Sequence, residues 1–268
     1  MGQSRAARRH PERHRRDDGV YVGYVHPDQV DAMWAGSMLN LVMADAKGPN
    51  RIVNAGGLVH VGSGPRIATA RNDVVRAFLL TETPWLFMVD TDMVFQSNVL
   101  DQYLEHADPN EVPILGGLCF AGGKGATIKP TLYRVMQTPE GELVYTRIEN
   151  YPRNAMCKVD ATGAACLLVH RSVFERMTDK FGHLAHPWFA ESETQSKELG
   201  EDMVFCLRAK SLGIPTHVHT GIKVGHRKMH VLDEQLYDEQ QAAIAETGEQ
   251  AFRERHARSL GLELTAVA

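Results

Sequence analysis

The apolar positions along this chain change their spacing several times, and the sharpest feature is an unbroken run, Trp85-Leu86-Phe87-Met88-Val89, that stops at Asp90-Thr91-Asp92. Five apolar residues without a polar interruption predict a strand buried on both faces, as in the parallel sheet of an α/β domain. Residues 20–25, rich in Val and Tyr, predict a strand ended by His26-Pro27-Asp28, because proline cannot donate to a ladder. Val30, Met33, Trp34, Met38, Leu41 and Val42 then recur at helical spacing up to Lys47-Gly48-Pro49, with Asp28 placed to cap that helix. Residues 51–61 read as a second strand, closed by Gly62-Ser63-Gly64-Pro65, and residues 66–80 as a helix carrying Val74, Val75, Phe78 and Leu79.

The same alternation continues downstream. The pattern predicts a helix over 97–106, a strand over 112–118 and a glycine-rich loop, Ala121-Gly122-Gly123-Lys124-Gly125, that lacks the Gly-Lys-Ser/Thr ending of a phosphate-binding loop. Residues 131–136 and 143–148 flank Pro139-Glu140-Gly141-Glu142 and predict a hairpin that interrupts the rhythm, either as one wall of a cleft or as a plain surface feature. Small residues at 161–165 lead into a strand at 166–169 and a helix at 172–177. His186-Pro187-Trp188-Phe189-Ala190 sets two aromatics on a loop, as a stacking platform or as a core plug. A helix opens at Gly200-Glu201-Asp202, and a strand follows at 214–218. These elements predict an α/β fold with a mostly parallel central sheet flanked by helices and a β-hairpin insertion. Beyond Asp233 the chain is charged and helical in propensity, with a thin stripe of Leu236, Ile244 and Phe252 that suits a packing helix, a homo-oligomer contact or a frayed tail.

Composition narrows the class. The 268 residues, 43% hydrophobic and 23% charged, can bury a substantial core, and no apolar run approaches a membrane span. The formal charge of −4 is uneven, since residues 1–16 hold six arginines against one glutamate. We therefore expect a basic disordered tail over 1–18, one globular domain over 19–230 and a helical extension over 231–268, with nucleic acid not the expected partner. Cys119, Cys157, Cys166 and Cys206 form no Cys-x-x-Cys pair, which argues against structural zinc and fits buried thiols in a cytoplasmic protein, in the host cytoplasm if the source is viral.

The candidate chemistry centres on the end of the apolar strand. In extended backbone Asp90 and Asp92 project to one side, and two carboxylates there repel unless a cation lies between them; hard oxygen donors suit Mg²⁺ or Mn²⁺. The bland alternative is one helix cap and one solvated acid. Arg66 and Arg71 stand near a helix start, where cations oppose the macrodipole, so an anionic partner is expected unless both are solvated. Glu201 and Asp202 in a first turn are explained by the helix dipole alone. His217 with His219, and His226 with His230, lack an obvious third and fourth zinc ligand.

In order along residues 20–228, these features resemble a GT-A glycosyltransferase of the family 2 type, in the compact form found in bacteria and bacteriophages. The resemblance rests on the opening βα unit, Ala70-Arg71-Asn72, Asp90-Thr91-Asp92, the small residues around Gly163, Glu201-Asp202 and Gly225-His226. It implies a UDP- or GDP-sugar donor, an acceptor protein or glycan, and Mn²⁺ or Mg²⁺ held by Asp90, Asp92 and His226. It places His26, Pro27, Arg66, Arg71, Asn72, Asp90, Thr91 and Gly163 around the nucleotide sugar, His26 and Pro27 at its base. Asp202 would be the general base of an inverting transfer, with Glu201 as the fallback. Two rivals stay open: a sugar-1-phosphate nucleotidyltransferase, although Tyr24-Val25-His26-Pro27-Asp28 replaces the glycine-rich loop it needs, and a non-catalytic carbohydrate-binding protein of the same fold.

Overall fold

The computed structural model describes residues 19–53, 56–122, 127–139, 143–193, 198–227 and 231–259. The basic head, the centre of the glycine-rich loop, the hairpin tip at 140–142 and His230 lie outside them.

The predicted Trp85–Val89 strand (β3) is present with every residue buried. Trp85, Phe87 and Val89 enter one hydrophobic cluster while Leu86 and Met88 enter another, so its continuous apolar run serves both faces of a sheet. Around it lie β1 (Val20–His26), β2 (Gly57–Gly62), β4 (Ile114–Leu118), β5 (Met156–Val159), β6 (Cys166–His170) and β7 (Thr216–Lys223), in the spatial order β5-β7-β4-β6-β3-β1-β2. Strands β1, β2, β3, β4 and β7 run one way, and β6 and β5 run against them. One face is covered by α2 (Ile67–Leu79), α4 (Arg171–Phe181) and α5 (Glu201–Ser211), which contribute Phe78, Phe174 and Phe205 to the core. The other is covered by α1 (Ala32–Lys47) and α3 (Val99–His106), through Trp34, Leu41 and Tyr103. At Gly23 of β1 an added Cβ would lie 2.3 Å from Val74, so glycine lets α2 settle on the sheet.

Several element boundaries differ from those the pattern predicts, each through identifiable hydrogen bonds. The cap of α1 is Asp31, not Asp28: its Oδ1 accepts the Met33 and Trp34 N–H groups while its own N–H donates to Thr91 O. The later start leaves Val30 and Met33 outside the core, 42% and 46% exposed. The second strand starts at Gly57 rather than 51, because the buried Asp45 carboxylate gathers the N–H groups of Arg51, Ile52 and Val53 into a turn. Strand β7 extends past 218 to Lys223, and the edge strand β5, absent from the sequence reading, pairs antiparallel with it. The hairpin forms as Leu132–Gln137 against Leu143–Arg147, and Trp188 and Phe189 are core residues, not a platform. Cys119, Cys166 and Cys206 are buried free thiols and Cys157 is half-buried.

After β7 the chain forms Gly225–Arg227, which pairs with Met93–Val94 directly behind Asp92. The next helix, α6 (Glu234–Thr247), is a packing helix: Tyr237 and Leu236 join the cluster of Leu118, Phe120 and Leu132, and Gln240 accepts the Ile128 N–H. Helix α7 (Glu249–Ser259) follows it. Among the described residues no helix is long and apolar enough to cross a membrane.

Candidate active site

The carboxyl ends of β1, β2, β3 and β4, which run in the same direction, open at one edge of the sheet, where ligands of α/β proteins bind. Asp90-Thr91-Asp92 lies there as a turn rather than extended backbone, with Met93 N–H bonded to Asp90 O and Asp90 N–H to Ala165 O. The turn sends the two acids to different partners. Asp90 takes Arg71 Nη2 on both oxygens, at 2.9 and 3.0 Å. Asp92 Oδ2 lies 3.0 Å from His226 Nε2, and His226 Nδ1 is held 3.0 Å from Phe120 O. Burial pulls the His226 imidazole down, but its bonds to Asp92 and the Cys119 thiol outweigh that and push it up to about 10.

Arg71 is only 3% exposed, and its Nε donates to Glu201 Oε1 at 3.0 Å. Its anionic partners in this structure are Asp90 and Glu201 of this chain. Arg66 is exposed at the N-cap of α2; its carbonyl accepts the Thr69 N–H, and its side chain makes no hydrogen bond or ion pair with the described residues. Asn72 does not reach the cleft either. It is fully buried, its Nδ2 donates to Ala68 O and Phe189 O, and its Oδ1 faces the Trp188 N–H at 3.4 Å. Asn72→Ala would orphan buried partners on the 186–190 loop and is expected to destabilise the protein by about 2–4 kcal/mol. Chemical denaturation measures this; a loss below about 1 kcal/mol would contradict the role. Thr91 is buried, and its carbonyl ties the turn to α1.

Glu201 and Asp202 open α5 as expected. One Asp202 oxygen accepts its neighbour's N–H, from Met203 at 2.7 Å. The other looks toward Gly163, where an added Cβ would lie 3.7 Å away, so the glycine leaves the approach to the carboxylate clear. Burial, and then the charge of Glu201, push the Asp202 carboxyl up to about 6 against the opposing pull of the Met203 N–H and Arg71. Tyr133 of the hairpin faces the same carboxylate, and its hydroxyl is raised by burial.

At the ends of β1 and β2, His26 Nδ1 lies 2.8 Å from Pro27 O and His26 Nε2 lies 3.0 Å from His60 Nδ1. A carbonyl only accepts, so in neutral rings Nδ1 of His26 is the donor, Nε2 of His26 accepts from His60, and His60 Nε2 is left as an open acceptor. Tyr24 lies over His60 with ring centroids 5.8 Å apart and meets the Trp34 edge at 4.8 Å. The sequence reading missed His60, Tyr24 and Trp34 as a group. The inter-strand pairing of Tyr24 with His60 is a register fact that no local pattern carries. It also missed Arg227, whose N–H binds Asp92 O and whose side chain meets Asp31. Among the described residues no three His, Cys, Asp or Glu side chains are grouped to hold a metal ion by themselves. Asp92 and His226 nevertheless offer an oxygen and a nitrogen donor at one point, the imidazole oriented from behind by Phe120 O, as metal-binding histidines require.

The sheet order and the cleft define an α/β protein of the GT-A glycosyltransferase fold. Among solved structures, GalNAc-T7 with UDP, GalNAc and Mn²⁺ is similar at a TM-score of 0.51 and 11% identity, over 78% of this chain and 43% of that one. This chain thus spans less than half the length of that protein. A197 from STIV is similar at a TM-score of 0.49 and 16% identity, over 78% of this chain and 86% of that one. A glycosyltransferase involved in the glycosylation of the major capsid of PBCV-1 is similar at a TM-score of 0.32 and 12% identity, over 59% and 62% of the two chains. No protein-family model and no curated protein matches the chain.

Proposed function

We propose that this chain is a glycosyltransferase that moves a sugar from a nucleotide diphosphate sugar to an acceptor hydroxyl with inversion. The observation that carries the reading is Asp202, a half-buried carboxylate raised to about 6, fixed at a helix start and facing a bare glycine backbone in the cleft. Such a group is tuned to accept a proton near neutral pH. The acceptor O–H would give its proton to Asp202 as the oxygen attacks the anomeric carbon. The bond from that carbon to the diphosphate oxygen breaks, and its electron pair leaves with the nucleoside diphosphate. Glu201, engaged by Arg71, is the poorer base.

Asp92 and His226 would hold the divalent cation, and a carboxylate with an imidazole suits Mn²⁺ better than Mg²⁺. When bound, the cation supplies Lewis-acid neutralisation of the charge growing on the leaving diphosphate. Asp90 supports this turn through Arg71 instead of serving as a ligand. His26, Pro27 and His60 form the proposed base site, with His60 Nε2 accepting a base N–H, and Arg66, whose side chain has no partner among the described residues, would meet a phosphate. The hairpin beside Asp202 would form the acceptor wall, the acceptor being a protein or a glycan. The four free thiols suit a reducing compartment such as the cytoplasm. Residues 19–230 would be the catalytic unit, with α6 packed on its end.

Calorimetric titration of UDP-, GDP-, CMP- and dTDP-sugars tests the reading, with Mn²⁺ and again with EDTA. Binding of one nucleotide family that requires Mn²⁺ is expected. No binding under either condition removes the donor site, and binding that survives EDTA removes the metal.

A further inference from the structure

The buried guanidinium of Arg71 stands between the two halves of the cleft. Its Nη2 binds Asp90, at the end of β3, and its Nε binds Glu201, the first residue of α5. Behind it lies Phe189, 5.9 Å from the guanidinium carbon, and Phe189 stacks on Phe205 of α5 with centroids 4.6 Å apart and planes within 9°. The adjacent Asn72 pins Phe189 by its carbonyl, so one helical segment holds both the cation and its backing ring. Asp202 beside it makes no ion pair with the described residues. The groups facing Asp202 are Arg71 from α2, Asp90 from the turn after β3, Glu201 and Cys206 from α5, and Tyr133 from the hairpin.

We propose that Arg71 is a positioning residue that locks the Asp90–Asp92 turn to the start of α5 and occupies both flanking carboxylates, leaving Asp202 as the proton acceptor. This rests on the transferase reading. A planar fork is needed because two acids on different elements are met at separate nitrogens, which the single ammonium of lysine cannot reproduce. The two carboxylates also compensate a cation that is otherwise buried, and their charge holds Arg71 protonated against the cost of burial.

Three variants test it: Arg71→Lys, Arg71→Met and Glu201→Gln. Each is read by turnover of UDP- and GDP-sugars and by ¹³C NMR titration of the Asp202 carboxyl. For Arg71→Lys a fall of about 100-fold in kcat is expected with donor KM within about 3-fold, since the elements that set the reacting geometry lose their tie. The Asp202 midpoint should rise in Arg71→Met, which removes a neighbouring cation, and fall in Glu201→Gln, which removes a neighbouring anion. A merely structural role does not produce opposed shifts. Unchanged kcat in Arg71→Lys, or an unmoved midpoint in Glu201→Gln, overturns the proposal; if Arg71→Met does not fold, these two variants still decide it. Should the wild type turn over no nucleotide sugar, the transferase reading falls, while opposed carboxyl shifts would still show the clamp.

Discussion

Asp202→Asn is expected to lower the rate of sugar transfer by about 10²- to 10⁴-fold while donor affinity stays within a few-fold, because a carboxamide fills the same space but accepts no proton. Steady-state kinetics beside calorimetric donor binding measures both quantities, and equal loss of both would make Asp202 a structural residue. In the wild type the acid limb of kcat should lie near pH 6, with activity lost as pH falls through that value and the base is protonated.

The same substitution carries a stability signature of opposite sign. Asp202 holds its proton to a higher pH folded than unfolded, so its contribution to stability is greatest below the ordinary carboxylate range. That contribution declines as pH rises to about 6 and stays low above it. Replacing it with Asn removes that penalty. The variant should melt above the wild type at pH 8, by up to about 3 kcal/mol in stability, and match it near pH 3. A variant destabilised at pH 8 would mean that the buried carboxylate is compensated by the fold.

Asp92→Ala should reduce Mn²⁺-dependent donor binding by at least about 100-fold, since a cation held by one imidazole alone is lost to water. The protein should remain folded, because the Asp92 carboxylate is about a third exposed and the ribbon behind it is joined through backbone bonds, Arg227 N–H to Asp92 O among them. Calorimetry with Mn²⁺ and a thermal melt in EDTA separate the two effects. Donor binding at wild-type strength would remove Asp92 from the metal site. Asp90→Ala should differ in kind: it strips Arg71 of a partner inside the core and is expected to lower the melting temperature as well.

Local pattern was sufficient for a good part of the molecule. The apolar run of β3, the βα unit after Val20, the hairpin at 132–147 and the acid pair opening α5 each follow from residues close together in sequence. The place of the acid pair at the carboxyl edge of the sheet was legible for the same reason, since it ends a doubly buried strand. The partner of each charged group was not. Arg71 called for an anionic partner because a cation near a helix start opposes the macrodipole; Asp90 and Glu201 reach it only when α2, β3 and α5 meet. Asp90 and Asp92 looked like one ligand pair because extended backbone aligns alternate residues, and a turn bond at Met93 separates them.

Asp28 lost the α1 cap to Asp31 through a bond from Asp31 to Thr91, and β2 shortened because Asp45 captured the backbone at 51–53. At Asp31 a contact distant in sequence outweighed a local capping preference worth about 1 kcal/mol, whereas at 51–53 a side chain six to eight residues earlier took the backbone N–H groups. The order of elements, the buried strand and the kinds of chemical groups at the sheet edge were thus set by the sequence pattern alone. Which acid makes no ion pair with the described residues, which is bound to Arg71, and which faces an imidazole were decided by tertiary packing. Charge pairing and desolvation depend on distances across the fold, and no spacing along the chain encodes them.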